Sequence, residues 1–132
     1  MKQSEIRDEL LGQHAGLRGH LDTARLAAEQ WKSGELSRAD VQTALTQLAD
    51  ALGAHNRHEE RAEFMDDEHA NEHREMFDAL TRVRRARDPG EGGRELANFC
   101  ERMLAHMSWE EKTFLNAMVL RDDDPSVDAD GG

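Results

Sequence analysis

Apolar positions along this chain recur at alternating intervals of four and three residues, the spacing that lines one face of an α-helix. Leu10, His14, Leu17, Leu21, Ala24 and Ala28 follow it in a first segment from about Ser4 to Lys32. Val41, Leu45, Leu48, Leu52, His55, Glu59 and Ala62 follow it in a second, and His69, His73, Met76, Leu80 and Val83 in a third. A fourth segment, from about Arg94 to Leu120, turns Leu96, Phe99, Met103, His106, Glu110 and Ala117 inward, with Phe114 and Met118 widening the apolar face. Four such segments with short connections predict an all-α fold, an up-and-down antiparallel four-helix bundle.

Three breaks separate the segments. Gly34 suits a helix end, and Ser37 with Asp40 three residues on resembles a capping box. The second break carries no Gly or Pro; Met65-Asp66-Asp67-Glu68 is the best turn, because the aspartates can cap a new helix. Arg82 to Arg87 close the third segment and complement the negative end of its dipole. Asp88-Pro89-Gly90-Glu91-Gly92-Gly93 reads as a loop. Gly12, Gly16 and Gly19 flank His14 inside the first helix, at a cost of about 1 kcal/mol each relative to Ala. Their clustering predicts a close backbone approach there, or room for a small ligand.

Composition narrows the picture. A chain of 132 residues makes one domain, read as a bundle over 1–120 and a disordered acidic tail over 121–132. Abundant Ala, Leu, Glu and Arg favour helices. The net charge of -11 opposes nucleic acid and anionic membranes, which carry the same sign. Nowhere does an apolar run approach the roughly 18 residues of a membrane span, and the opening MKQSEIRDELL lacks the apolar core of a secretory signal. A cytoplasmic monomer or homodimer is the expectation, with the single Cys100 reduced and inert.

The candidate chemistry sits where the seams stop being apolar. Residues four apart on a helix share a face, so His55 with Glu59, His69 with His73, and His106 with Glu110 each present paired ligands; His14 adds one more. In an antiparallel bundle, residues equally far from a turn lie at one height. His14 lies twenty residues before Gly34 and His55 twenty-one after it. Glu59 and His73 lie about seven either side of Asp66-Asp67, and His73 and His106 lie about seventeen and sixteen from the Pro89 loop. All four helices therefore deliver ligands to one layer.

Each residue also has a structural reading. A lone histidine on an apolar seam is usually a satisfied core residue, and His20 and His58, off the seams, belong to the surface. Trp31 and Trp109 read as partial core, and the methionines as packing. Glu59 and Glu110 resist that reading, since a buried unpaired carboxylate costs several kcal/mol. Five histidines and two carboxylates at one level need positive charge among them, and metal supplies it. Seven ligands exceed one tetrahedral zinc and suit two six-coordinate ions bridged by carboxylates. Oxidising bundle sites use four carboxylates and two histidines; here neutral nitrogen dominates, which favours binding oxygen or peroxide over attacking carbon.

The repeated His-x-x-x-Glu-Glu at 55–60 and 106–111, with His14 before it and Glu72-His73-Arg74-Glu75 between, resembles the hemerythrin-like (HHE) domain family over nearly all of residues 4 to 120. The resemblance implies a non-haem di-iron centre with an oxo or hydroxo bridge. His69, His73 and His106 would hold one iron, His14 and His55 the other, and Glu59 and a fourth-helix acid would bridge them. The iron with fewer histidines would keep the open position for oxygen. Oxygen-carrying members place an aspartate where this chain has Glu111, whereas HHE relatives use the earlier acid, Glu110, which the seam favours. The interval from Glu59 to His69 is shorter than the family's, which leaves His69 either an extra ligand or a spare.

The leading expectation is thus a di-iron protein that binds oxygen, peroxide or nitric oxide, with catalase-like turnover a further option. A metal-stapled interaction module holding zinc or iron is the alternative from another class, and a metal-free acidic bundle is the third.

Overall fold

The computed structural model of the chain describes residues 3–61 and 67–112. It forms an up-and-down antiparallel four-helix bundle of α1 (Gln3–Lys32), α2 (Arg38–Arg61), α3 (Asp67–Arg85) and α4 (Pro89–Lys112). Consecutive helices pack side by side and α4 closes against α1, with the α2–α3 seam the sparsest. None of the helices is long and apolar enough to cross a membrane.

The seams read from the sequence are the ones that pack. Leu17, Leu21 and Ala24 of α1 meet Leu45, Leu48 and Leu52 of α2, Met76, Leu80 and Val83 of α3, and Leu96, Phe99 and Met103 of α4 in one buried cluster. That cluster fills the half of the bundle nearest the α1–α2 and α3–α4 connections. Cys100 lies within it, and burial pushes its thiol up to about 11, so it stays protonated. Ala62, Phe114, Ala117, Met118 and the 121–132 tail lie outside the described residues, as do Met65 and Asp66 of the second turn.

Local chemistry sets the helix ends. Gly34 closes α1 with φ +83°, a left-handed conformation that a Cβ disfavours. Ser37 and Asp40 form the expected reciprocal cap: the Asp40 amide donates to Ser37 Oγ at 3.2 Å and the Ser37 amide to Asp40 Oδ2 at 3.0 Å. Carbonyls at the end of α3 are taken by α2 side chains, with Arg38 Nε on Ala86 O at 2.9 Å and Gln42 Nε2 on Arg84 O at 2.7 Å.

Two expectations are corrected. The 88–93 stretch is not a loop: α4 begins at Pro89, where a missing N–H costs nothing, and the Glu91 amide donates to the Asp88 cap at 2.9 Å. Gly92 marks contact rather than a break, because a Cβ on it would stand 2.7 Å from the Trp31 ring. Nor do Gly12, Gly16 and Gly19 mark a close approach or a ligand cleft. All three are exposed, and a Cβ at any of them would meet nothing within 4 Å.

Phe99→Ala should therefore cost about 3–5 kcal/mol of stability, since the ring is wholly buried. Gly16→Ala should instead stabilise by about 0.5–1 kcal/mol through helix propensity alone. Urea denaturation of the two variants beside the parent checks both signs.

Candidate metal centre

Beyond the apolar half, the seams carry polar side chains and the packing does not open to water. His14, His55, Glu59, His69, His73, His106 and Glu110 are all buried, with Glu59 and Glu110 each only 1% exposed. The helical repeat explains why they meet. Each polar residue replaces an apolar one on a face already committed to the core, so burial follows from the helix rather than from the side chain.

Their donor atoms form two groups, His14, His55, Glu59 and Glu110 in one, His69, His73, His106 and Glu110 in the other, each within 4.8 Å. Glu110 belongs to both: its Oε1 lies 3.2 Å from His14 Nε2 and 3.3 Å from His106 Nε2, while Oε2 lies 2.8 Å from His69 Nε2. Glu59 spans them too, contacting His55 Nε2 with Oε1 and lying 3.0 Å from His69 Nε2 with Oε2. The two carboxylates thus stand between the histidine sets.

Left to themselves these groups satisfy one another poorly. His14 Nε2 and His55 Nε2 face each other at 3.2 Å, although at most one proton can lie between them. Among the described residues, both oxygens of Glu59, both ring nitrogens of His73, His106 Nε2 and Glu110 Oε1 are buried without a well-aligned hydrogen bond, close as the imidazoles and carboxylates lie. Groups of this kind cost about 1–3 kcal/mol apiece, more when charged. Cations between the sets would engage the imidazole lone pairs and carboxylate oxygens together, so the donor set fits a metal pair.

Protonation of the metal-free form reflects the same crowding. Burial opposes charge on His55 and His69, but the close approach of Glu110 and Glu59 and the charges of both outweigh it, raising His55 to about 9 and His69 to about 10. Burial, aided by the His69 charge, depresses His73 to about 3. Glu110 is held far below the usual carboxylate range: four closely approaching histidines, led by His106, overcome its burial.

Around this layer lie residues with supporting contacts. Glu111, a candidate ligand from its motif, falls in neither donor group. It accepts from His14 Nδ1 at 3.2 Å and from Arg18 Nη2 at 2.8 Å, and these bonds keep it ionised against the cost of burial. His69, whose place the spacing left open, lies fully within the layer. Glu72 accepts from His106 Nδ1 at 2.6 Å. Sequence reasoning missed Arg18 as such a partner, although its place one turn after His14 is a usable signal. Trp109 is 42% exposed rather than core, with its ring centroid 5.5 Å from that of His69 and 5.9 Å from that of His106. A cavity of about 520 Å³ between α3 and α4 reaches His106 beside Trp109, and one of about 380 Å³ between α2 and α3 reaches His73.

Comparison with protein-family models, with curated proteins and with solved structures finds no match to this chain.

For histidines with raised pKa, the stabilising charge is fully present below the ordinary value near 6.5 and lost as pH rises through the folded value. The metal-free bundle should therefore lose stability as pH climbs through about 9 and about 10, where His55 and His69 discharge. Metal uptake at pH 7 should displace a proton from each of them. Calorimetric titration in buffers of different ionisation enthalpy reads that release directly.

Proposed function

We propose that this chain is a hemerythrin-like, non-haem di-iron protein that binds oxygen, peroxide or nitric oxide. The observation that carries the reading is the pair of buried donor groups sharing Glu110, in which Glu59, His73, His106 Nε2 and Glu110 Oε1 make no well-aligned hydrogen bond among the described residues. His69, His73 and His106 would hold one ion and His14 and His55 the other, with Glu59 and Glu110, which approach both histidine sets, supplying the carboxylates.

Five imidazoles against two carboxylates make a nitrogen-rich set, less suited to stabilising high oxidation states than the carboxylate-rich sites of oxidising bundles. Bound there, two iron ions would supply reversible one-electron chemistry toward a small diatomic or peroxide ligand. The chain's own part is to hold them in a water-poor layer, with Trp109 packed beside the three-histidine set. The two-histidine set offers fewer nitrogen donors and so leaves more room for an exogenous ligand. Reversible binding is favoured over turnover, because every buried carboxylate at this level is committed to the donor groups and none stands apart as an acid or base.

A second reading has a specific basis. Each group holds four nitrogen and oxygen donors, the number a tetrahedral structural zinc takes. In that case the metal is a staple for a helical interaction module.

Metal analysis of protein grown in iron-rich medium, with optical spectra before and after air and azide, separates the two. We expect two iron ions per chain, one per donor group, and a near-ultraviolet to visible band that shifts with azide. Zinc alone, or iron with a spectrum indifferent to azide and air, overturns the di-iron reading.

A further inference from the structure

His58 stands outside the donor layer, yet it is only partly exposed and is tied at both ring nitrogens. Its Nε2 lies 3.2 Å from Glu9 Oε2, and its Nδ1 lies 3.0 Å from Gln13 Nε2. The other end of the Gln13 amide, Oε1, lies 2.7 Å from His55 Nδ1. Glu9 and Gln13 are one turn apart on α1, as are His55 and His58 on α2, so two helical repeats bring the four into a line from solvent to the buried layer.

The line has one consistent direction. The Glu9 carboxylate at ion-pair distance favours the His58 proton on Nε2, which leaves Nδ1 to accept. The Gln13 –NH2 group must then face His58, which turns its oxygen toward His55. His55 in turn donates from Nδ1, so the proton that a cation would displace is the one on Nε2, the nitrogen facing Glu59, Glu110 and His14. A half-exposed glutamate thus settles the tautomer of a buried histidine three groups away. Two other outer contacts obey the same rule: Glu111 accepts from His14 Nδ1 and Glu72 from His106 Nδ1.

From this geometry we infer that Glu9, His58 and Gln13 are positioning residues: an ion-pair contact followed by two hydrogen bonds, which together present His55 Nε2 as a donor to a divalent cation. The inference rests on the metal-centre reading above, and deepens it by naming residues that touch no metal but decide which nitrogen offers itself. Outer partners of ligating histidines commonly change metal affinity about 10–100-fold when removed.

Gln13→Leu, Gln13→Glu and His58→Leu, with cobalt(II) as the spectroscopic probe and a chelator as competitor, test it. Gln13→Leu should weaken cobalt binding about 10–100-fold, and Gln13→Glu, which keeps an acceptor for His55, should restore it to within about threefold. His58→Leu should also weaken it, by freeing the amide to turn over. In the metal-free protein, NMR should show a solvent-protected His55 Nδ1–H resonance that Gln13→Leu abolishes and Gln13→Glu retains. Cobalt affinity unchanged in Gln13→Leu, or reduced equally in Gln13→Leu and Gln13→Glu, overturns the positioning role. Should the parent take up no cobalt, the metal-centre reading fails on its own. The chain is then judged by NMR, and a His55 resonance that survives in Gln13→Leu overturns it.

Discussion

Two carboxylates, Glu59 and Glu110, lie buried among five imidazoles, and the polar half of the bundle depends on how their charge is met. Histidine protons can balance part of it, and in the metal-free form they do: the charges on His55 and His69 are drawn up by these two acids. That solution remains incomplete, because His73 is kept neutral by burial and by its charged neighbour, and several buried nitrogens and oxygens make no well-aligned hydrogen bond among the described residues. Cations placed between the histidine sets would replace the protons and engage those atoms at once. Burial that is costly for a protein alone becomes binding free energy for a metal.

The rest of the bundle makes that layer rigid. Phe99 and the leucines of α1 and α2 fill the opposite half, so the helices cannot slide without disrupting a packed core. The donor side chains sit on helices held by backbone hydrogen bonds, and the outer nitrogens of His14, His55 and His106 are held by Glu111, Gln13 and Glu72. The sparse α2–α3 seam is the exception. There a cavity opens beside His73, as one does beside His106 between α3 and α4, and among the described residues His73 Nδ1 has no hydrogen bond and no carboxylate closer than 4.0 Å.

Much of this was legible without coordinates. Equal rise along antiparallel helices let the height of each ligand be counted from the turns, and the four-three rhythm chose Glu110 over Glu111 as the inward acid. It also placed His69 on the inner face despite the short interval after Glu59. The glycines misled, because the same residue that ends a helix also lets two helices touch. Only the Trp31 ring against Gly92 shows which applies, and that ring arrives from α1, far away in the chain.

Periodicity is a local property, so the sequence by itself determined which face of each helix is buried, and with it which acids and imidazoles leave water. Side-chain partners across helices are not local. That Arg18 clamps Glu111, that Trp109 lies against His69 and His106, and that Glu9 reaches His55 through His58 and Gln13 depended on the rotation and separation of neighbouring helices. Those are set by the fit of the whole core, and only the tertiary structure decided them.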